Sequence, residues 1–344
     1  QSTQNVGAFA NVCVGYSTGS NLGEAADGSV LIGHAAGSLI TSGEGNTAIG
    51  YQALDAEDDG DYNTAVGYQA LTAQTGISGH VANTAIGYQA GVTLLDGSDN
   101  TALGMQALKS EDGGNRSTAI GTQALYSQTT SAPAHINNVG VGTFAGYRNV
   151  TGTNNTYVGT SAGLGTAGGA VSNTGNTGVG SSALTAITDG QYNVALGVTT
   201  GDALTTGDYN VFMGAGAGGG TQDIDHSVII GYSAGAGVMT GGGGADGTVA
   251  IGSLAGNAIT SGAGNVLVGK DSGKLLTTGS YNTTLGWNTG VALATNTSHT
   301  TAIGYNALAA CNVSGDSRNT AIGSSAGEDI TSGTQNVDIG KNAL

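Results

Sequence analysis

The sequence predicts an all-β fold, a parallel β-solenoid (β-roll) of about nineteen rungs with a 17-residue period, forming a single repeat domain over residues 1–344. Three observations carry this expectation. A short phrase of the form NTAIGYQAL (Asn46 to Leu54) returns nineteen times, and eleven of the eighteen intervals between its glycines, from Gly15 to Gly340, are 17 residues long. The residue three before each glycine, here the lead column, is Val nine times and Thr ten times, a β-branched run that suits a strand. The residue just before the glycine, the tail column, is aliphatic in all nineteen rungs. Units of this size bury little alone and much when stacked.

Each further column has a structural meaning. Four before the glycine stands Asn in fourteen rungs and Ser or Thr in five, which predicts a corner where a short polar side chain bonds backbone and its equivalent one rung away. Three after the glycine stands Ala fifteen times, so only a small side chain fits. The next residue is Gly twelve times and Leu seven times. Phrases such as Leu204 to Gly207 and Ile259 to Gly262 predict a second, shorter strand after a turn.

Side chains alternate along a strand, so the lead and tail columns share one face. The aliphatic character of that face predicts that it lines the interior. The middle column, two before the glycine, then points outward, and it is mostly apolar: Ala, with Leu31, Tyr157, Phe212, Ile229 and Leu267 as its large members. An outward apolar stripe predicts packing between parallel copies, so these five residues are the candidate interchain contacts.

Composition narrows the function classes. Gly is 65 of 344 residues without a three-residue period, which excludes collagen. The regular columns exclude a disordered linker. No apolar run is long enough for a membrane-spanning helix, so no membrane insertion by this segment is expected. A net charge of -16 with seven basic residues argues against nucleic acid as a partner. The chain opens on Gln1 without Met or a leader, which suggests a processed segment.

Chemistry-bearing residues are sparse. The five histidines fall in different rungs without metal-ligand spacing. Asp58, Asp59 and Asp61 are the densest acids but match no known calcium loop. The sequence therefore predicts no catalytic residues, no cofactor and no metal, and a non-enzymatic protein. Cys13 and Cys311 lie some sixteen rungs apart and cannot bridge within a straight solenoid. Cys13 reads as a small buried hydrophobe, and the pair also as a possible intermolecular disulfide between copies.

Binding is expected where the repeat is broken, on extra loops around residues 72–82, 126–137, 164–176 and 236–247. Aromatic residues just after the glycine, including Tyr51, Tyr68, Tyr88, Trp287 and Tyr305, form a second candidate surface facing a receptor. The competing expectation is that they stack along the rod and stiffen it.

The phrases NTAIGYQAL, NTAIGYQAG, HSVIIGYSAG and GTVAIGSLAG resemble the head repeats of trimeric autotransporter adhesins and the shafts of phage tail fibres, from about Asn11 to Leu344. The resemblance implies a homotrimer, an extracellular place on a cell surface or virion tail, and attachment to a surface glycan or protein receptor. The 17-residue rung is longer than the usual adhesin repeat. Two alternatives to an adhesin or tail-fibre shaft stand beside it: a filament polymerised end to end, and an ice-binding solenoid prompted by the many threonines. The inward placement assigned to Thr47, Thr64, Thr84 and Thr101 argues against the last.

Overall fold

The computed structural model describes residues 10–75, 79–130, 134–166, 171–239, 244–293 and 295–343. The chain divides into two compact units, 1–174 and 175–344. Among the described residues the first holds nine three-residue strands, from Val12–Val14 to Thr156–Val158, and the second holds ten, from Thr177–Val179 to Val337–Ile339. Among the described residues there is no helix. Within each unit successive strands pair in parallel and in register, so that Thr64, Ala65 and Val66 lie beside Thr84, Ala85 and Ile86, and Val211, Phe212 and Met213 beside Val228, Ile229 and Ile230. Each unit is thus a parallel β-solenoid, and the repeat in the sequence is the rung of the fold.

The signature glycine is a backbone-on-backbone contact. At Gly50, φ is +141°, and a Cβ there would stand 2.2 Å from the carbonyl oxygen of Gly67 on the next rung. Any side chain would push the rungs apart at this corner.

The polar corner forms as the sequence predicts. Asn46 Oδ1 accepts the backbone N–H of Asn63 at 2.8 Å, and Asn46 Nδ2 donates to the carbonyl of Gly60 at 2.8 Å. Asn83 and Asn100 repeat both bonds on later rungs. These side chains are fully buried, and the ladder satisfies donors and acceptors that the corner would otherwise strand.

The expected second strand is mostly absent. Short extra pairings occur at Gly60–Asp61 with Gly79–His80 and at Gly114–Asn115 with Ala134–His135. Single parallel bridges add Asn149 with Val171, Thr153 with Thr174 and Ser298 with Asp316, and on other rungs the segment is a bend tied to the next rung, as where Thr188 N donates to Thr205 O at 2.9 Å. Its leading apolar residue, Leu204 or Ile259, points into the core.

The assignment of faces is reversed from expectation. The middle column lies inside the coil: Leu31, Tyr157, Phe212, Ile229 and Leu267 are fully buried within one chain, and so are Ala48, Ala65 and Ala119. The lead and tail columns face out, with Leu103 at 42%, Leu196 at 43% and Leu285 at 47% exposure. The alternation holds, with the small and buried middle column on the inner side. The interior is narrow: the middle residue meets the Ala three after the glycine and the Gly or Leu that follows, so it is usually Ala. Where it is large, the following residue is Gly. A Cβ on Gly163 would stand 2.3 Å from the Tyr157 ring, one on Gly218 3.0 Å from Phe212, and one on Gly273 2.8 Å from Leu267. Where Leu stands there instead, as at Leu54, Leu71, Leu108 and Leu125, its own rung offers Ala48, Ala65, Ala102 and Ala119. Those rungs are filled from one side or the other, and where both positions are small, as at Ala195 and Gly201, the side chains of Phe212 and Leu184 reach in from neighbouring rungs.

Polar residues also enter the core. Glu111 is fully buried, accepting the backbone N–H of Gly114 at 2.7 Å and the Gln128 amide at 2.6 Å. Glu57 holds the same place three rungs earlier, where its Oε1 accepts the N–H groups of Asp58 and Gly60. Burial pushes the Glu57 carboxyl up to about 6, only partly offset by those bonds. A carboxyl raised in the folded state binds more protons than in the unfolded chain, so stability falls as pH rises from about 4.5 through 6 and is flat above. A shift of this size corresponds to about 2 kcal/mol. Glu57→Gln, which places there the residue of Gln74 and Gln128, is expected to remove that slope in thermal melts taken across the interval.

Candidate functional site

Two surfaces stand out once the faces are placed. The first is the outward side of the strands. Its lead column holds only Val and Thr, and its tail column only aliphatic residues, so neither column contains a charge in a chain that carries -16. In the second unit five consecutive rungs are aliphatic in both columns: Val194 and Leu196, Val211 and Met213, Val228 and Ile230, Val249 and Ile251, Val266 and Val268. Their side chains are half-exposed while the residue between them is buried. In the first unit five consecutive lead residues are Thr47, Thr64, Thr84, Thr101 and Thr118. A contiguous apolar strip of this kind is unusual for a surface bathed in water.

The second surface is an aromatic edge. Tyr16, His34, Tyr51, Tyr68 and Tyr88 form one stack with centroids 5.1 to 5.5 Å apart and rings within 24° of parallel. Gln52, Gln69, Gln89, Gln106 and Gln123 run beside it as an amide ladder, the Nε2 of each after Gln52 donating to the Oε1 one rung before. The ring faces of Tyr51 and Tyr68 are covered by their neighbours above and below, so stiffening is the role the geometry gives them, and only ring edges remain for a ligand. Trp287 and Tyr305, in the second unit, meet at 65° with the Lys270 ammonium 5.5 Å above the indole. A further stack, Tyr192, Tyr209 and His226, lies just ahead of the polar corner, a column that the sequence reading passed over. Its signal was present: aromatic residues recur at the 17-residue interval.

The other candidates resolve as follows. Cys311 is fully buried within one chain, and that burial pushes its thiol up, so the folded chain does not present it at the surface. Cys13 occupies the middle column of the first described rung and packs against the core, as a small hydrophobe would. Among the described residues one acidic group, Glu57, Asp58 and Asp59, brings its oxygens within 4.8 Å of one another. Glu57 Oε1 is already engaged by backbone there. The four long loops lie partly outside the described residues, at 76–78, 131–133, 167–170 and 240–243. No helix is long and apolar enough to cross a membrane among the described residues.

No protein-family model matches the chain, and no curated protein matches it.

Proposed function

We propose that the chain is a non-catalytic, extracellular fibre subunit whose copies pack through the outward strand face, in the manner of the shaft of a trimeric adhesin or phage tail fibre. The observation that supports this reading is the uncharged strip along the lead and tail columns, aliphatic in both over five consecutive rungs of the second unit. Burying apolar surface contributes roughly 25 cal/mol per Å², and a strip repeated on every rung gains with length. The interchain contact is therefore assigned to residues such as Val228, Ile230, Val249 and Ile251, and no longer to the middle column. Three copies meeting on one axis would hide the strip and leave the acidic turns in water, on a cell surface or virion tail. Light scattering of the purified chain tests this: a particle of about three times 33.2 kDa is expected, and a monomer at all concentrations would refute it. Open-ended filaments would instead support end-to-end polymerisation.

A second reading is favoured by one observation. The lead-column threonines face outward, against the placement that argued for their burial, and in the first unit five of them form a regular row with a rung spacing of about 4.8 Å. A row of hydroxyl and methyl groups at fixed spacing suits an ordered water lattice. Thermal hysteresis in a monomeric chain would make ice binding the function, and its absence in a stable trimer would remove that reading.

A further inference from the structure

The amide ladder ends in a pocket. On the rung after Gln123 the corresponding residue is Phe144, which sits at φ +59°, a region that bulky side chains seldom occupy. Most residues at this place in other rungs are small or polar, such as Ser161, Ser182 and Asn306. Phe144 meets Tyr147 edge to face at 5.6 Å and 86°, and with Gln123, Arg148 and Leu164 it lines a cavity of about 400 Å³.

The two polar side chains here keep part of their hydrogen-bonding capacity free. Gln123 Nε2 donates to Gln106 at 2.9 Å, but the next rung offers Gln123 Oε1 no amide because Phe144 stands there. Arg148 lies 5.4 Å from the Tyr147 ring centroid and donates once, to the Gly165 carbonyl at 3.3 Å. Among the described residues no carboxylate pairs with it, although acids outnumber bases 23 to seven in the chain. Ligand pockets are mostly apolar with a few convergent polar groups, and this one matches that description.

We propose that this pocket binds a sugar acid, a pyranose ring bearing a carboxylate. The guanidinium supplies a forked donor for the carboxylate. The walls of Phe144 and Leu164 suit the C–H face of the ring, with Tyr147 held in place by its stack on Tyr126 at 4.9 Å, and Gln123 Oε1 accepts from a ring hydroxyl. A planar aromatic acid lacks that hydroxyl, and a neutral sugar lacks the anion. The site is built from the first unit of one chain.

Titration with glucuronic acid, followed by saturation-transfer NMR, tests the assignment, with glucose and phenylacetate as controls. Saturable binding of glucuronate is expected, with both controls at least tenfold weaker. Arg148→Gln and Phe144→Ser, each checked for a native circular dichroism spectrum, are expected to lower the affinity at least tenfold. If Phe144→Ser fails to fold, the half-buried Arg148→Gln variant decides. No saturable binding, equal binding of either control, or an Arg148→Gln variant that binds as the parent does would overturn the proposal. Light scattering on the same samples reads assembly separately.

Discussion

Phe212→Asp is expected to unfold the second unit. The side chain is fully buried between Gly201 and Gly218, which approach its ring so closely that a Cβ on either would stand within 3.0 Å of it. Losing a buried phenylalanine costs about 3–5 kcal/mol, and an unpaired carboxylate in an apolar interior adds several more. Domains are stable by only about 5–15 kcal/mol, so the sum reaches the whole reserve. Circular dichroism and thermal melting of the variant should show loss of the cooperative transition. Met213→Asp, one residue along on the outward tail column, should keep the transition near its original temperature in the dissociated chain.

The second large effect is a compensated pair. Leu267→Ala is expected to cost about 2–5 kcal/mol by opening a cavity, and Gly273→Leu about 1–3 kcal/mol by overfilling the same section. Together they recreate the arrangement of Ala48 with Leu54, and Gly273 already holds φ +57°, close to the +52° of Leu54. The double variant is therefore expected to be more stable than either single one, with a coupling of about 0.5–3 kcal/mol in denaturant unfolding. Additive costs would mean that the two columns do not share one space.

That reciprocity also explains what the sequence disclosed and what it hid. Strand positions, period, polar corner and the parallel stacking of rungs were legible because each is a property of one column. The choice of inner face was not, because Val and Ile outside and Ala inside invert the usual contrast between surface and core. The deciding signal lay in pairs of columns: Leu31, Tyr157, Phe212, Ile229 and Leu267 each have Gly six residues later, and Leu54, Leu71, Leu108 and Leu125 each follow an Ala. A fully exposed column has no reason to trade volume with another. The pocket at Phe144 was partly legible, as the break in the row of glutamines. Its closure by Tyr147, Arg148 and Leu164 depends on the turn, which the repeat pattern does not specify.

The central claim is that the strands turn their uncharged lead and tail columns outward, where copies of the chain meet. Light scattering of a Val228→Asp/Ile230→Asp variant, alongside the parent and Ile229→Asp, tests it most directly. The account predicts a folded single chain for the double variant, a multimer for the parent and an unfolded chain for Ile229→Asp. A folded, dissociated Ile229→Asp chain beside an unfolded double variant would show the sheet turned the other way and contradict the account.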